Sequence, residues 1–265
     1  EPTPPRARGA PAPPHPSPPV LPQRASMSST KPPGDPLGRF VSYSTDLGRA
    51  DKVIKVVSYA LQLASTIART PASSKALFDL YKNAAHARCV FRLLGTPESI
   101  DMLIRKGPWS PDARTSLDGV CDTLQALALC GYHPFEHLAW AGSAAPNLDG
   151  PVVDAGKWGR WSESCWLFFV LVDALQTHRS MCQVSADLRR ARAEGAPIKA
   201  LEHRLWILYL QQLRNIFYLP ITYHRTQREP VLSNFWLAFL SLAEGVVGLK
   251  QSWDKTYPPL ITDSA

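Results

Sequence analysis

The feature that most constrains the fold is an apolar segment near the C-terminus. Residues 231–249 comprise thirteen apolar residues, two glycines and four polar residues. As a helix this segment would be about 28 Å long, close to the hydrocarbon thickness of a bilayer. It contains Glu244, and an acid at the centre of a span costs about 2.5 to 3.5 kcal/mol. The segment therefore predicts either a membrane-inserted helix whose Glu244 faces a partner helix, or a buried helix of a soluble domain.

Two further features of the C-terminal half bear on membrane association. Gly245 and Gly248 lie three residues apart, and small residues at this spacing allow close helix contact, so we predict that they form the packing positions of the last span. The apolar run 165–172 is too short to span alone, and we expect 161–178 to be a membrane-associated helix. Residues 124–142 are similarly marginal. One to three hydrophobic membrane-associated helices are expected.

The periodicity of apolar residues predicts an all-α fold. Apolar side chains recur at helical spacing in several segments, and we find no alternating strand pattern of useful length. The predicted helices cover about 50–69, 75–94, 117–130, 161–178, 176–193, 198–219 and 231–249. Pro220 is expected to close the helix at 198–219, and Gly195 to Pro197 the one before it.

Four regions follow from composition and pattern. Residues 1–38 are rich in proline and poor in large apolar side chains, which predicts a disordered segment. Residues 39–106 form the predicted amphipathic helical module. Residues 107–160 contain an apolar helix and a loop, and residues 161–258 form a C-terminal membrane-associated helical region.

The segment 75–94 is predicted to be a basic amphipathic helix. Its apolar residues fall within an arc of about 100 degrees, and basic residues line one margin. Such a helix can lie in the headgroup layer, with arginine and lysine reaching anionic lipids. The alternative is a helix that packs on its neighbour at 50–69 in a bundle. The predicted membrane-binding residues are Lys75, Leu77, Leu80, Tyr81, Lys82, Ala84, Arg88, Phe91, Arg92 and Leu94.

The net charge of +7 predicts an anionic partner, either nucleic acid or an acidic membrane surface. Arg189, Arg190 and Arg192 form a basic cluster, but no recognisable nucleic-acid module accompanies it. A solvated helix face is therefore favoured there, and we expect no nucleic-acid partner. The five cysteines contain no C-x-x-C pair, which is typical of free thiols in a reducing compartment.

One short motif carries possible chemistry. Residues 133–137 match H-x-x-E-H, a zinc-peptidase pattern that needs both histidines on one helical face. Pro134 fits best at a first helical position, which would leave His133 outside the helix. We therefore expect no metal, no cofactor and no enzymatic activity. Phosphate-binding and hydrolase motifs are also missing.

Five stretches of the chain stand in a recognisable order. They are TDLGRADK at 45–52, ARCVFRLLG at 87–95, FEHLAWAG at 135–142, KWGRWS at 157–162 with Trp166 and Leu167, and LRN at 213–215 with Leu219, Pro220, Gly245, Gly248 and Trp253. Together these stretches resemble the peroxin-11 family, and the resemblance covers about 40–258. The resemblance is closest to the gamma-type branch. The chain departs from the family at Tyr218, where an acidic residue often stands, and at Glu244.

The resemblance implies a protein of the peroxisomal membrane that self-associates and keeps its termini toward the cytosol. It implies membrane curvature and elongation through the helix at 75–94, leading to peroxisome proliferation and fission. The implied partners are anionic phospholipid, a second copy of the chain, and the fission machinery of a tail-anchored adaptor and a dynamin-like GTPase. A membrane pore or metabolite channel, and a soluble helical interaction protein, remain the alternatives.

Overall fold

A computed structural model describes residues 36–111, 115–145 and 154–258. Within these ranges the regular structure is helical and no strand occurs, which confirms the predicted all-α fold. Most of the segment predicted to be disordered, residues 1–35, and part of the predicted loop, residues 146–153, lie outside the described residues. The helices are α1 (Pro36–Ser44), α2 (Leu47–Ile67), α3 (Pro71–Phe91), a 3-10 turn (Arg92–Leu94), α4 (Gly95–Lys106), α5 (Leu117–Ala144), α6 (Ala155–Glu194), α7 (Lys199–Thr226) and α8 (Asn234–Thr256).

Local side-chain chemistry sets several helix ends. Asp46, Ser116 and Ser233 each accept a hydrogen bond from a backbone N–H in the first turn of α2, α5 and α8, satisfying a donor that has no partner within the helix. Gly195 ends α6 with a φ of 68°, a left-handed conformation that glycine adopts without steric cost. The predicted end of that helix is confirmed.

Two prolines lie inside helices. Helix α5 continues well beyond the predicted 117–130, over 28 residues, and passes through Pro134. Helix α7 continues through Pro220 to Thr226. The expectations that Pro134 stands at the start of a helix and that Pro220 ends one were therefore wrong. An interior proline costs about 3 kcal/mol, and here α5 packs between α4 and α6 while α7 packs between α6 and α8, so burial of both sides of each helix offsets that cost.

Other boundaries also differ from the sequence predictions. The segments expected at 161–178 and 176–193 form a single helix of 40 residues. Helix α4 was not predicted, although it carries Glu98 in its first turn and Arg105 and Lys106 in its last. That charge distribution complements the helix dipole and favours a helix.

The chain divides into two units, one up to Ser42 and one from Tyr43 onward. In the second unit six helices pack in a closed order: α3 on α2, α2 on α8, α8 on α7, α7 on α6, α6 on α5, and α5 on α3. Helix α4 packs against α5. The space enclosed by the ring holds the candidate site.

Within the described ranges, no helix combines the length and the apolar character required to cross a bilayer. The segment at 161–178, which we expected to be membrane-associated, lies in α6, and the segment at 231–249, for which insertion was one of two predictions, lies in α8. Helix α6 contains Glu163 and Asp173, and α8 contains Glu244. All three make polar contacts inside the protein.

Candidate functional site

A polar cavity of about 640 Å³ lies inside the ring of helices and is lined by residues of all six. Ionisable side chains dominate its lining. Asp51, Lys55, Arg88, Arg92, Glu136, Glu163, Arg214, Arg225 and Glu244 all border it. We call this space the central cavity.

Glu244 is the most deeply buried of these charges, with 1% of its surface exposed. It forms ion pairs with Lys55 of α2 and with Arg214 of α7, whose Nε donates to Oε1 at 3.1 Å. Lys55 also donates to the Tyr218 hydroxyl. Burial raises the pKa of Glu244, but the charges of Lys55 and Arg214 outweigh it and hold the pKa below its usual range. The carboxylate stays ionised and ties together three helices.

Arg88 and Arg92 join α3 to the rest of the ring. The Nε of Arg88 donates to Asp51 Oδ1 of α2 at 2.9 Å, and Arg92 Nη1 lies 2.8 Å from Glu136 Oε1 of α5. Arg92 Nη1 also donates to the Tyr132 hydroxyl, 2.9 Å away. Both guanidinium groups therefore point into the protein.

A further ion pair in the cavity lining joins α7 to α6. Arg225 Nη1 of α7 lies 3.0 Å from Glu163 Oε1 of α6. Burial raises the pKa of the neighbouring Tyr59, but the positive charges of Arg225, Arg88 and Lys55 outweigh burial and bring that pKa to about 8. The Tyr59 hydroxyl therefore lies among basic side chains of α2, α3 and α7.

His133 packs on the start of α4. A Cβ at Gly95 would lie 2.4 Å from His133 Cε1, so only glycine leaves room for the imidazole. Burial, followed by the charges of Arg92 and His137, lowers the pKa of His133 to about 4. Its imidazole is therefore neutral at pH 7.

The H-x-x-E-H segment differs from the sequence prediction. Because α5 continues through Pro134, His133 lies within the helix, and its ring stacks on that of His137 with centroids 6.3 Å apart. One possible ligand atom from each of His133, Glu136 and His137 lies within 4.8 Å of the other two. The expectation that Pro134 separates the histidines was wrong.

The stretches that carry the family resemblance meet at the central cavity. TDLGRADK supplies Asp51, ARCVFRLLG supplies Arg88 and Arg92, and FEHLAWAG supplies Glu136. The sequence alone did not reveal that these stretches pair with one another, and Lys55, Tyr132, Glu163 and Arg225 were missed. A lone acid in an apolar helix, such as Glu163 or Glu244, was the available signal, because a buried charge requires a partner.

The predicted membrane-binding residues of α3 do not share one face. Lys75, Leu80, Lys82 and Leu94 are exposed. Half-buried positions are Leu77, Tyr81, Ala84 and Phe91, and the Tyr81 ring packs 6.4 Å from that of Tyr59 on α2. The 6% exposure of Arg88 places it in the interior. The inward side of α3 packs on α2, which is the alternative that we considered for this helix.

The outward side of α3 is nonetheless largely apolar. Leu80 and Leu94 are 54% and 62% exposed, and the residues between them at helical spacing are exposed as well. Lys75 and Lys82 lie beside this face and share Asp79 as an ion-pair partner. We define the outer face of α3 as Ala76, Leu80, Asn83, Ala87, Val90 and Leu94, the last of which lies in the 3-10 turn.

The two glycines of α8 lie at contacts between helices. A Cβ at Gly245 would lie 3.5 Å from Val56 Cγ2 of α2, and one at Gly248 would lie 2.9 Å from Arg214 Nε of α7. The absence of a side chain at Gly248 thus leaves space for the guanidinium that pairs with Glu244.

Comparison with models of protein families gives a match over most of the chain. A family model described as peroxisomal biogenesis factor 11 (PEX11) matches residues 37–249. No curated protein and no solved structure matches the chain. The matched range contains the whole central cavity lining and the outer face of α3.

Proposed function

Because the chain belongs to the peroxisomal biogenesis factor 11 family, we propose that it elongates the peroxisomal membrane through the outer face of α3. Family membership implies a role in peroxisome biogenesis and a peroxisomal location. The finer claim, remodelling by α3, rests chiefly on one observation. Leu80 of α3 and Leu94 of the turn that follows it are more than half exposed, and Lys75 and Lys82 lie beside this face.

Apolar burial would favour attachment of the outer face to a bilayer. Removing apolar surface from water is worth about 25 cal/mol per Å². A helix whose apolar side chains enter the boundary between headgroups and acyl chains displaces lipid in one leaflet only. Such a wedge increases the area of the cytosolic leaflet and favours curvature.

Charge favours an anionic surface. The chain carries a net charge of +7, and a basic residue close to an anionic leaflet contributes about 1 kcal/mol. The long stems of Lys75 and Lys82 would lie along the apolar surface while their ammonium groups reach phosphates. Arg88 and Arg92 have a different part in this proposal, because their ion pairs hold α3 on the bundle.

The remaining steps of the proposal follow the family. Self-association would concentrate outer faces on one patch of membrane and amplify the curvature that each produces. A tail-anchored adaptor and a dynamin-like GTPase would then divide the elongated organelle.

Vesicle binding by the purified full-length protein tests this proposal. We expect co-sedimentation with vesicles containing phosphatidylserine, tubulation of those vesicles in electron micrographs, and weaker binding to pure phosphatidylcholine. The double variant Leu80→Glu/Leu94→Glu should lose both activities, since it places two carboxylates on the outer face. Leu117→Glu, at a residue 48% exposed at the start of α5, is the matched control. Unchanged tubulation by the double variant would exclude the outer face as the remodelling element.

A further inference from the structure

The segment His133, Glu136 and His137 contains two polar atoms without a hydrogen-bond partner. His133 Nδ1 and Glu136 Oε2 are buried, and neither has a partner among the described residues. An unpaired buried polar atom costs about 1 to 3 kcal/mol. Two such atoms on successive turns of one helix, beside a second histidine, make this segment a candidate ligand site.

The other atoms of the three side chains are fixed in a way that leaves these positions open. Glu136 Oε1 accepts hydrogen bonds from Arg92 and Tyr132, so Oε2 is the free oxygen. His137 Nε2 lies 3.2 Å from the Arg92 carbonyl oxygen, which can only accept. His137 therefore carries its proton on Nε2, which leaves Nδ1 unprotonated and available as a ligand. The same arrangement occurs in histidine ligands that a backbone carbonyl orients.

The spacing and distances fit a metal ion. Histidines four residues apart on one helical face form a known chelating pair. One ligand atom from each of the three residues lies within 4.8 Å of the others. Ligands at about 2.0 to 2.1 Å from a tetrahedral ion are about 3.3 Å apart, so small side-chain rotations would close the site. The absence of a side chain at Gly95 leaves the space that the His133 ring occupies.

We propose that His133, Glu136 and His137 bind a divalent transition metal, with Zn²⁺ the ion that two imidazoles and one carboxylate suit best. Through His137 and Glu136 the ion is linked to Arg92, so metal binding would stiffen the contact between α5 and the turn that follows α3. No step of the membrane-remodelling proposal depends on this site.

Titration of the full-length protein with Co²⁺ after treatment with a chelator tests the site. His178 and Cys182 form an exposed pair with Nε2 and Sγ 3.9 Å apart, which could bind metal independently. The parent for this experiment is therefore His178→Ala/Cys182→Ser. We expect one equivalent of Co²⁺ with the intense visible absorption of a tetrahedral ion.

Variants assign the ligands. His133→Asn and His137→Asn should each weaken Co²⁺ binding at least tenfold, and His203→Ala on α7 should not. Absence of Co²⁺ binding in the parent, or unchanged binding in His133→Asn/His137→Asn, would overturn the proposal. X-ray absorption of the Zn²⁺-loaded parent decides the matter without ligand variants: two imidazoles and no sulfur are expected, and a spectrum with sulfur or a single imidazole would contradict the site.

Discussion

Glu244 of α8 and Lys55 of α2 form an ion pair inside the helical bundle, where Glu244 is almost completely shielded from water. The two residues are far apart in the chain and meet because α2 packs on α8. Arg214 of α7 contacts the same carboxylate. One acid that looked out of place in an apolar segment thus connects three helices of the ring.

Removing this acid should destabilise the protein strongly. We expect Glu244→Gln to lower the free energy of unfolding by about 3 to 5 kcal/mol, because Lys55 and Arg214 would be left without their shared counter-charge. Denaturant unfolding monitored by circular dichroism measures the loss. Glu229→Gln, at an exposed position before α8, is the control and should change stability by less than about 0.5 kcal/mol. Equal stability of both variants would contradict the buried ion pair.

Gly95→Ala tests the contact between α4 and α5. Its Cβ would overlap the His133 ring at 2.4 Å, and forced overpacking costs about 1 to 3 kcal/mol. The double variant Gly95→Ala/His133→Ala should recover part of that loss, since the smaller side chain removes the clash. Gly156→Ala, whose nearest neighbour is the flexible end of Arg160 at 3.4 Å, should have little effect. A lack of coupling in this double-mutant cycle would show that the two residues do not touch.

His133 should make stability depend on pH. Its pKa is lowered to about 4 in the folded protein from 6.5, so the unfolded chain takes up this proton first as the pH falls. The stabilisation from a neutral His133 is fully present above pH 6.5 and is lost between pH 6.5 and about 4. Thermal unfolding with a chelator present should show this loss of stability in the unaltered protein and a smaller loss in His133→Asn. Parallel profiles would contradict the lowered pKa.

Arg88 and Lys82 should behave differently although both are basic residues of α3. Arg88→Ala leaves Asp51 partly buried and unpaired, and should lower the free energy of unfolding by about 3 kcal/mol. Lys82 is exposed beside the outer face, so Lys82→Ala should keep the stability and weaken binding to phosphatidylserine vesicles. Loss of vesicle binding in Arg88→Ala with unchanged stability would instead support the lipid contact expected from the sequence.

The apolar periodicity of the sequence predicted the helices, but it did not predict which helices contact one another. The helices at 50–69 and 75–94 correspond to α2 and α3 because their apolar spacing is regular over five turns. The helix boundaries predicted at Pro134 and Pro220 were wrong, since local helix propensity takes no account of the neighbouring helices that bury both sides of α5 and α7. The contacts of Arg88 and Arg92 could not be predicted either. Both residues lie at the margin of the apolar arc, and they point inward only because Asp51 and Glu136 are placed to pair with them.

The candidate site was visible only in fragments. The sequence drew attention to Glu244, Gly248 and the H-x-x-E-H segment, but it allowed each to be interpreted only within its own helix. Their partners lie on other helices, and nothing in a single sequence states which helices adjoin. A buried acid predicts that a base is near, but the ring order that brings Lys55 to Glu244 is a tertiary property.

Imaging of peroxisomes in cells that overexpress the full-length protein tests the central claim most directly. Organelle length is measured with a matrix marker for the unaltered protein, for Leu80→Glu/Leu94→Glu and for the control Leu117→Glu, at matched expression. Remodelling through the outer face predicts elongated organelles with the unaltered protein and the control, and organelles of ordinary length with the double variant. Equal elongation by all three proteins would contradict the role of α3.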